Sequence, residues 1–178
     1  MQMLEKFRYC PACGSKHFEE NTTKSRRCRN CGFEYFLNPS SATAAFILNE
    51  RGQLLVERRK EEPGRGTLDL PGGFCDTAES LEEGLAREIL EETGLRLKST
   101  PEYLFSIPNN YRYSGADVPT LDAFFLLRVA GDVQAVAGDD AAELVWIPLA
   151  DIHTEQFGLR SIRRALHRFI ETYQADDK

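Results

Sequence analysis

Apolar residues in this chain fall into runs of two different periods. Ala42 to Leu48 and Leu54 to Glu57 are near-continuous apolar runs on either side of Asn49-Glu50-Arg51-Gly52, which predicts a β-hairpin. Thr67 to Leu70 predicts a short strand entering the turn Pro71-Gly72-Gly73. Pro101 to Ile107, Leu121 to Val129 and Glu143 to Pro148 predict three more strands, the last holding the only tryptophan, Trp146. The polar stretches Glu61 to Gly66 and Asn109 to Thr120 read as loops. The period becomes helical twice. Ser80 to Thr93 opens with a capping box, Ser80 and Glu83, and stops at Gly94, a residue suited to the left-handed position past a helix end. Leu159, Ile162, Leu166, Phe169, Ile170 and Tyr173 recur at helical spacing and predict a C-terminal helix packed on the sheet. Strands before and between two amphipathic helices predict an α/β fold, a mixed sheet between helix layers.

The first helix breaks the pattern of a solvated one. With Leu81 at zero, Leu85 and Ile89 fall at about 40° and 80°, and Glu88, Glu91 and Glu92 at about 340°, 280° and 20°. Three carboxylates thus line the edge of the buried face. Glu88 and Glu92 are a like-charge i,i+4 pair, worth roughly 0.2–0.5 kcal/mol of repulsion. Glu91 and Glu92 also sit near the negative end of the helix dipole. Of the nearby basic residues only Arg87 is in the helix; Arg96 and Lys98 lie past its stop. A divalent cation is the simplest missing compensation, and clustered hard oxygens suit magnesium or manganese.

The spacing Gly73, five residues, Glu79, seven residues, Arg87-Glu88-Ile89, one residue, Glu91-Glu92, one residue, Gly94-Leu95 resembles a complete Nudix box. The resemblance implies an α/β/α sandwich over about residues 39–178. It also implies Mg²⁺- or Mn²⁺-dependent hydrolysis of a nucleoside diphosphate linked to another moiety. Carried over by position, Glu88, Glu91 and Glu92 bind the metal, and Glu91 or Glu92 polarises the water. Arg87 orients the carboxylates, and Glu79 holds the loop against the helix or assists the base. A carbonyl of Gly72 or Gly73 completes the coordination. A further late acid is expected at Glu143, with Asp139 and Asp140 as rivals. Arg58 and Arg59 are candidates to meet phosphate, and Tyr111 and Tyr113 to stack on a base; covering the surface is the competing role for all four.

Residues 1–38 differ in composition. They carry seven basic and four acidic side chains, +3, within a chain of net charge −6. Four of the five cysteines fall as Cys10-Pro-Ala-Cys13 and Cys28-Arg-Asn-Cys31, each second cysteine followed by glycine. Four thiolates at this spacing make a closed shell for a structural Zn²⁺, a zinc ribbon. Disulfides need an oxidising compartment, and the first residues have no apolar core of a signal peptide. A cytoplasmic location is expected. No apolar run reaches membrane-span length. The fifth cysteine, Cys75, reads as a packed thiol in the loop before the helix. Arg26, Arg27 and Arg29 allow a nucleic-acid contact, but a solvated hairpin rim accounts for them and is favoured.

A ribbon ahead of a Nudix box resembles the NADH pyrophosphatase group, which also removes NAD caps from RNA. That group has a further domain before the ribbon, where this sequence has nine residues before Cys10. Its Ser-Gln-Pro-Trp-Pro-Phe-Pro-x-Ser signature is reduced here to Ser106-Ile107-Pro108-Asn109-Asn110-Tyr111-Arg112-Tyr113-Ser114. The expected partner is a small nucleotide of the NADH/NAD or ADP-ribose type. A homodimer fits the family, although no exposed apolar stripe requires one. The alternative class is a regulator whose ribbon binds nucleic acid while the Nudix fold senses a ligand. Such sensors usually have a decayed box, and this one is intact.

Overall fold

A computed structural model describes residues 3–97, 99–113, 115–130 and 141–176. The chain divides into two compact units: Met1–Ser40 with Asn110–Thr120, and Ser41–Asn109 with Leu121–Lys178.

The first unit is built on strands β1 (Phe18–Thr22), β2 (Ser25–Cys28) and β3 (Glu34–Phe36), paired antiparallel in that order. Its apolar centre is Cys10, Phe18 and Cys28, with Phe7 and Tyr35 packed edge to face at 5.3 Å. So small a core leaves little hydrophobic driving force, as expected of a module this short.

The second unit carries most of a six-stranded sheet, in which residues 110–113 of one strand and 116–120 of the next are counted with the first unit. Its strands are β4 (Ser40–Asn49), β5 (Gln53–Arg59), β6 (Leu68–Asp69), β7 (Glu102–Tyr113), β8 (Ala116–Val129) and β9 (Ala141–Pro148). The order is β6-β5-β4-β8-β7, with β9 antiparallel to β5. Helices α1 (Leu81–Thr93) and α2 (Arg160–Asp176) complete the unit.

Alternate residues of the central strands point to opposite layers. Phe46, Leu48, Leu54, Val56, Phe124 and Leu126 pack with Ile162, Leu166 and Phe169 of α2. Ala45, Ile47, Leu55, Ala123, Phe125 and Leu127 pack with Leu85 and Ile89 of α1. A helix on each face of the sheet is the α/β/α arrangement. It also explains why β4 and β5 read as continuous apolar runs: both faces are buried.

One sequence expectation is corrected. Asn109 to Thr120 is not a loop. β7 and β8 run nearly the whole way to each other, turning at Gly115 with φ of +71°. The polar residues of β7 there read as loop because that end of the strand is little buried, so no apolar alternation marks it.

Candidate metal and hydrolytic centre

The helix that carries the acids is held at both ends by its own sequence. Ser80 Oγ accepts from the Glu83 N–H at 3.2 Å and Glu83 Oε2 accepts from the Ser80 N–H at 2.8 Å, completing the capping box. Gly94 sits in the left-handed region with φ of 70°, and its N–H donates to Leu90 O. Leu85 and Ile89 bury the inner face. With ends and face fixed, Glu88, Glu91 and Glu92 have little freedom in direction.

The glycine turn meets those acids. Gly72 has a φ of +147°, and a Cβ there would lie 2.1 Å from Thr43 O, so only glycine fits. Its N–H donates to Glu92 Oε2 at 2.8 Å. A Cβ on Gly73 would lie 2.5 Å from the Glu88 carboxyl. The two glycines therefore let one stretch of backbone lie directly against two carboxylates that are four residues apart on the helix. Thr43 and Ala45 of β4 fix the turn from behind, donating to Gly73 O at 2.8 Å and Pro71 O at 2.9 Å.

Arg87 ties the loop to the helix. Its Nε and Nη2 donate to the two oxygens of Glu79 at 2.8 and 3.0 Å, a bidentate pair, and Nη2 also donates to Phe74 O at 3.0 Å. Nη1 donates to Glu88 Oε1 at 2.8 Å and to Glu91 Oε2 at 3.1 Å. The arginine holds the Glu79 carboxyl down at about 2, helped by the Asp76 N–H, and is itself held more firmly protonated. Local relief of the acid stripe is therefore larger than the sequence suggested: one guanidinium serves three carboxylates.

Glu92 is the exception. It is 7% exposed, whereas the Glu91 side chain is 58% exposed. Burial raises the Glu92 carboxyl to about 9, with Glu57, Glu88 and Asp69 adding repulsion against the pull of the Gly72 N–H. Glu57, 4% exposed on β5, was missed by the sequence reading. It stands opposite Asp69 of β6 in the strand register. The signal was an acid closing an apolar run, Leu54-Leu55-Val56-Glu57, on the parity of Leu55, which faces α1. Asp69 is also buried and pairs with Arg59.

Glu88 and Glu92 lie against a backbone turn that a single methyl would block, and their hard oxygens are of the type that suits a hydrated divalent cation; among the described residues, however, only the four cysteines bring three or more ligand atoms together closely enough to hold an ion. Cys75 packs beside Gly84 and Glu79, where burial, then Glu79, push its thiol up. That is the packed thiol expected. Glu143 faces Arg58 across β5 and β9 and pairs with it at 3.1 Å, both side chains exposed; Arg58 also donates to Gly66 O at 2.9 Å. Asp139 and Asp140 lie outside the described residues. Tyr111 and Tyr113 belong to the first unit, and Tyr113 is exposed.

In the first unit, the Sγ atoms of Cys10, Cys13, Cys28 and Cys31 lie within 4.8 Å of one another, with Cys10–Cys31 at 3.7 Å and Cys13–Cys28 at 3.6 Å. A tetrahedron with metal–sulfur bonds of ~2.3 Å has edges of ~3.8 Å, so the cage has the size of a zinc site. These separations also exclude disulfides, whose sulfurs stand ~2 Å apart. Gly14 and Gly32, both with positive φ, close the two knuckles by donating to Cys10 O and Cys28 O. Backbone N–H groups, that of Cys31 foremost, bring the Cys28 thiol down to about 6.

A NUDIX domain model matches residues 38–169. The chain is 31% identical over 139 residues to the ADP-ribose pyrophosphatase of Methanocaldococcus jannaschii, covering 77% of each protein. It is 28% identical over 150 residues to the NAD-capped RNA hydrolase NudC of Deinococcus radiodurans, covering 81% of this chain and 50% of that one. The chain thus spans half the length of that relative. Among solved structures it resembles the MutT protein of Methanosarcina mazei Go1, with a TM-score of 0.62, 25% identity, and 79% of this chain and 99% of that chain covered. A NUDIX hydrolase from Nitrosomonas europaea shares the fold at a TM-score of 0.65 and 24% identity, over 92% of this chain and 90% of that one.

Proposed function

The chain belongs to the Nudix family of pyrophosphohydrolases, and we propose that it cleaves the pyrophosphate bond of an ADP-ribose or NADH/NAD type nucleotide with Mg²⁺ or Mn²⁺. The observation that carries this reading is the contact of the Gly72-Gly73 turn with the carboxyls of Glu88 and Glu92. The substrate class draws on the relatives: one is an ADP-ribose pyrophosphatase and another acts on NAD-capped RNA.

Glu88, Glu91 and Glu92 would hold the catalytic cation, with a backbone carbonyl of the turn. Gly73 O already accepts from Thr43, which favours Gly72 for that carbonyl. When bound, such a cation neutralises phosphate charge and lowers the pKa of a bound water. The protein's own part is positional. Arg87 fixes Glu88 and Glu91 in register with the turn, and Glu79 anchors Arg87. Glu91, the most exposed of the three, is suited to polarise a water at the solvent side; Glu92 is the rival for that role. Glu57 adds a second buried acid beside Glu92 and raises the local demand for positive charge. Glu143 remains the candidate late ligand, and engaging a cation would cost it the exposed pair with Arg58. The four cysteines would hold Zn²⁺ in a closed structural site, supplying folding energy to the ribbon. No helix among the described residues is long and apolar enough to cross a membrane.

The test is a product screen with NADH, NAD, ADP-ribose, dinucleoside polyphosphates and oxidised nucleoside triphosphates, each with Mg²⁺ and with Mn²⁺. The reading predicts AMP from ADP-ribose or NAD(H), dependent on the metal. Turnover of triphosphates alone, or none at all, would overturn it.

A further inference from the structure

The outer face of α2 carries charge of one sign, in a chain whose net charge is −6. Arg160, Arg163, Arg164, His167 and Arg168 stand at i, i+3, i+4, i+7 and i+8, and all five are exposed. On a helical wheel they fall within about 140°. The opposite side, Ile162, Ala165, Leu166 and Phe169, is buried in the core. The basic row is about 12 Å long. It lies on the face of the sheet opposite α1, so the hydrolytic centre does not use it.

Charged residues on an exposed helix face are ordinarily just solvated. This row exceeds that role because it breaks three local rules together. Arg160–Arg164 and Arg164–Arg168 are like-charge i,i+4 pairs. Arg160 and Arg163 stand in the first turn, at the positive end of the helix dipole, where acids are favoured. α2 has no acid there, whereas α1 has Glu82 and Glu83. Among the described residues, none of the four arginines pairs with a carboxylate, although Arg29, Arg58, Arg59, Arg87 and Arg112 each do. Positive charge set against itself and left without local relief points to an anion from outside. Three of the heads are also held in place. Arg163 Nε donates to Phe157 O, Arg164 Nη1 donates to Pro108 O at 3.5 Å, and the Arg168 guanidinium lies 4.2 Å from the Phe105 ring centroid. The two backbone contacts each engage one N–H of the five that a guanidinium carries.

We propose that the outer face of α2 is a docking surface for duplex DNA, contacted along its phosphates without reading sequence. Guanidiniums suit phosphate oxygens because they can meet them with two N–H groups at once. A B-form major groove is about 12 Å wide and admits a helix. The flanks of a 140° row, Arg163 on one side and Arg168 on the other, then face the two phosphate rims. Other anionic partners fit less well. A protein interface is built around a buried aromatic or aliphatic anchor, and the exposed face from Arg160 to Thr172 holds neither. The same lack leaves the bases of a single strand nothing to stack on. A membrane-surface helix inserts its apolar face, and that of α2 is committed to the core. The surface stands independently of the hydrolytic assignment.

The test uses the whole chain, zinc-loaded and without added Mg²⁺ or Mn²⁺. Binding of a fluorescent DNA duplex of mixed sequence is followed by anisotropy between about 50 and 200 mM salt, and the surface is mapped by amide and arginine side-chain NMR. The expected result is saturable shifts on Arg160, Arg163, Arg164 and Arg168, with a slope of log affinity against log salt of about −3.5, the value for four phosphate contacts. Arg160→Gln/Arg164→Gln should reduce that slope by about two and weaken binding about tenfold or more at low salt. Melting should be unchanged or raised, because the substitution removes like-charge neighbours. Arg160→Lys/Arg164→Lys should keep the slope. No saturable binding, or shifts confined to Arg26, Arg27 and Arg29 of the ribbon, would overturn the proposal. So would equal or tighter binding of a single strand, an RNA duplex, polyglutamate or phosphatidylserine vesicles, or a slope unmoved by the glutamine variant.

Discussion

Gly73→Ala adds one methyl at the point where the turn meets the helix. Gly73 is not in the left-handed region, so its backbone accepts alanine. The new Cβ would stand 2.5 Å from the Glu88 carboxyl, against an ordinary contact of about 3.4 Å. The carboxyl must therefore retreat by about 0.9 Å. It is the end of a flexible side chain, so the fold survives; the bond to Arg87 is weakened, a loss of up to about 2 kcal/mol. A displacement near 1 Å at a reacting centre costs about a hundredfold in rate. The assays are the melting temperature, kcat on ADP-ribose with Mg²⁺, and Mn²⁺ affinity by electron paramagnetic resonance. The expected result is a small shift in melting, a drop of about a hundredfold in kcat and weaker Mn²⁺ binding. Gly72→Ala is the control with the opposite balance. Its Cβ would meet backbone, Thr43 O at 2.1 Å, at a positive φ, and should destabilise by about 3 kcal/mol or more. Full activity and unchanged Mn²⁺ affinity in a folded Gly73→Ala protein would refute the geometry on which the site is built.

Four further outcomes follow. Glu91→Gln should lower turnover about a hundredfold with melting unchanged, measured by steady-state kinetics. Glu92 has its carboxyl raised to about 9 in the folded chain, above the unfolded value of about 4.3. The folded state then holds the extra proton between those values, so stability without Mg²⁺ or Mn²⁺ falls as pH rises from about 5 to 9. Glu92→Gln should flatten that slope in denaturant titrations; an unchanged slope would contradict the burial argument. Arg87→Lys keeps the charge but loses the fork that grips Glu79, and should lower kcat about tenfold or more while Glu79→Gln does much the same, since both act through one contact. Elemental analysis should find one zinc per chain, lost together with ribbon protection from proteolysis in Cys28→Ser.

What could be read from the sequence was what is local. Both ends of α1 are set by residues within four positions of each other, and Ser80, Glu83 and Gly94 behave as their types require. The cysteine pairs likewise carry their own spacing, and the four sulfurs gather at zinc-site distances. Three features needed the fold. Glu57 joins the acid group only because β5 runs beside β6 under α1, a pairing that one sequence does not specify. The service of Arg87 to three carboxylates depends on the loop folding back so that Glu79 meets it. The β7–β8 hairpin reads as two short strands because the outer end of β7, Asn109 to Tyr113, is polar and largely unburied and so lacks the apolar alternation by which strands are recognised.

We propose that the row of acids on α1 holds a divalent cation against the glycine turn. Mn²⁺ titration of the full chain, followed by electron paramagnetic resonance, tests it without assuming a substrate. Saturable binding is expected in the wild-type chain and is expected to be abolished in Glu88→Gln/Glu92→Gln, with zinc content and melting retained. Equal Mn²⁺ affinity in the wild-type and doubly substituted proteins would contradict it.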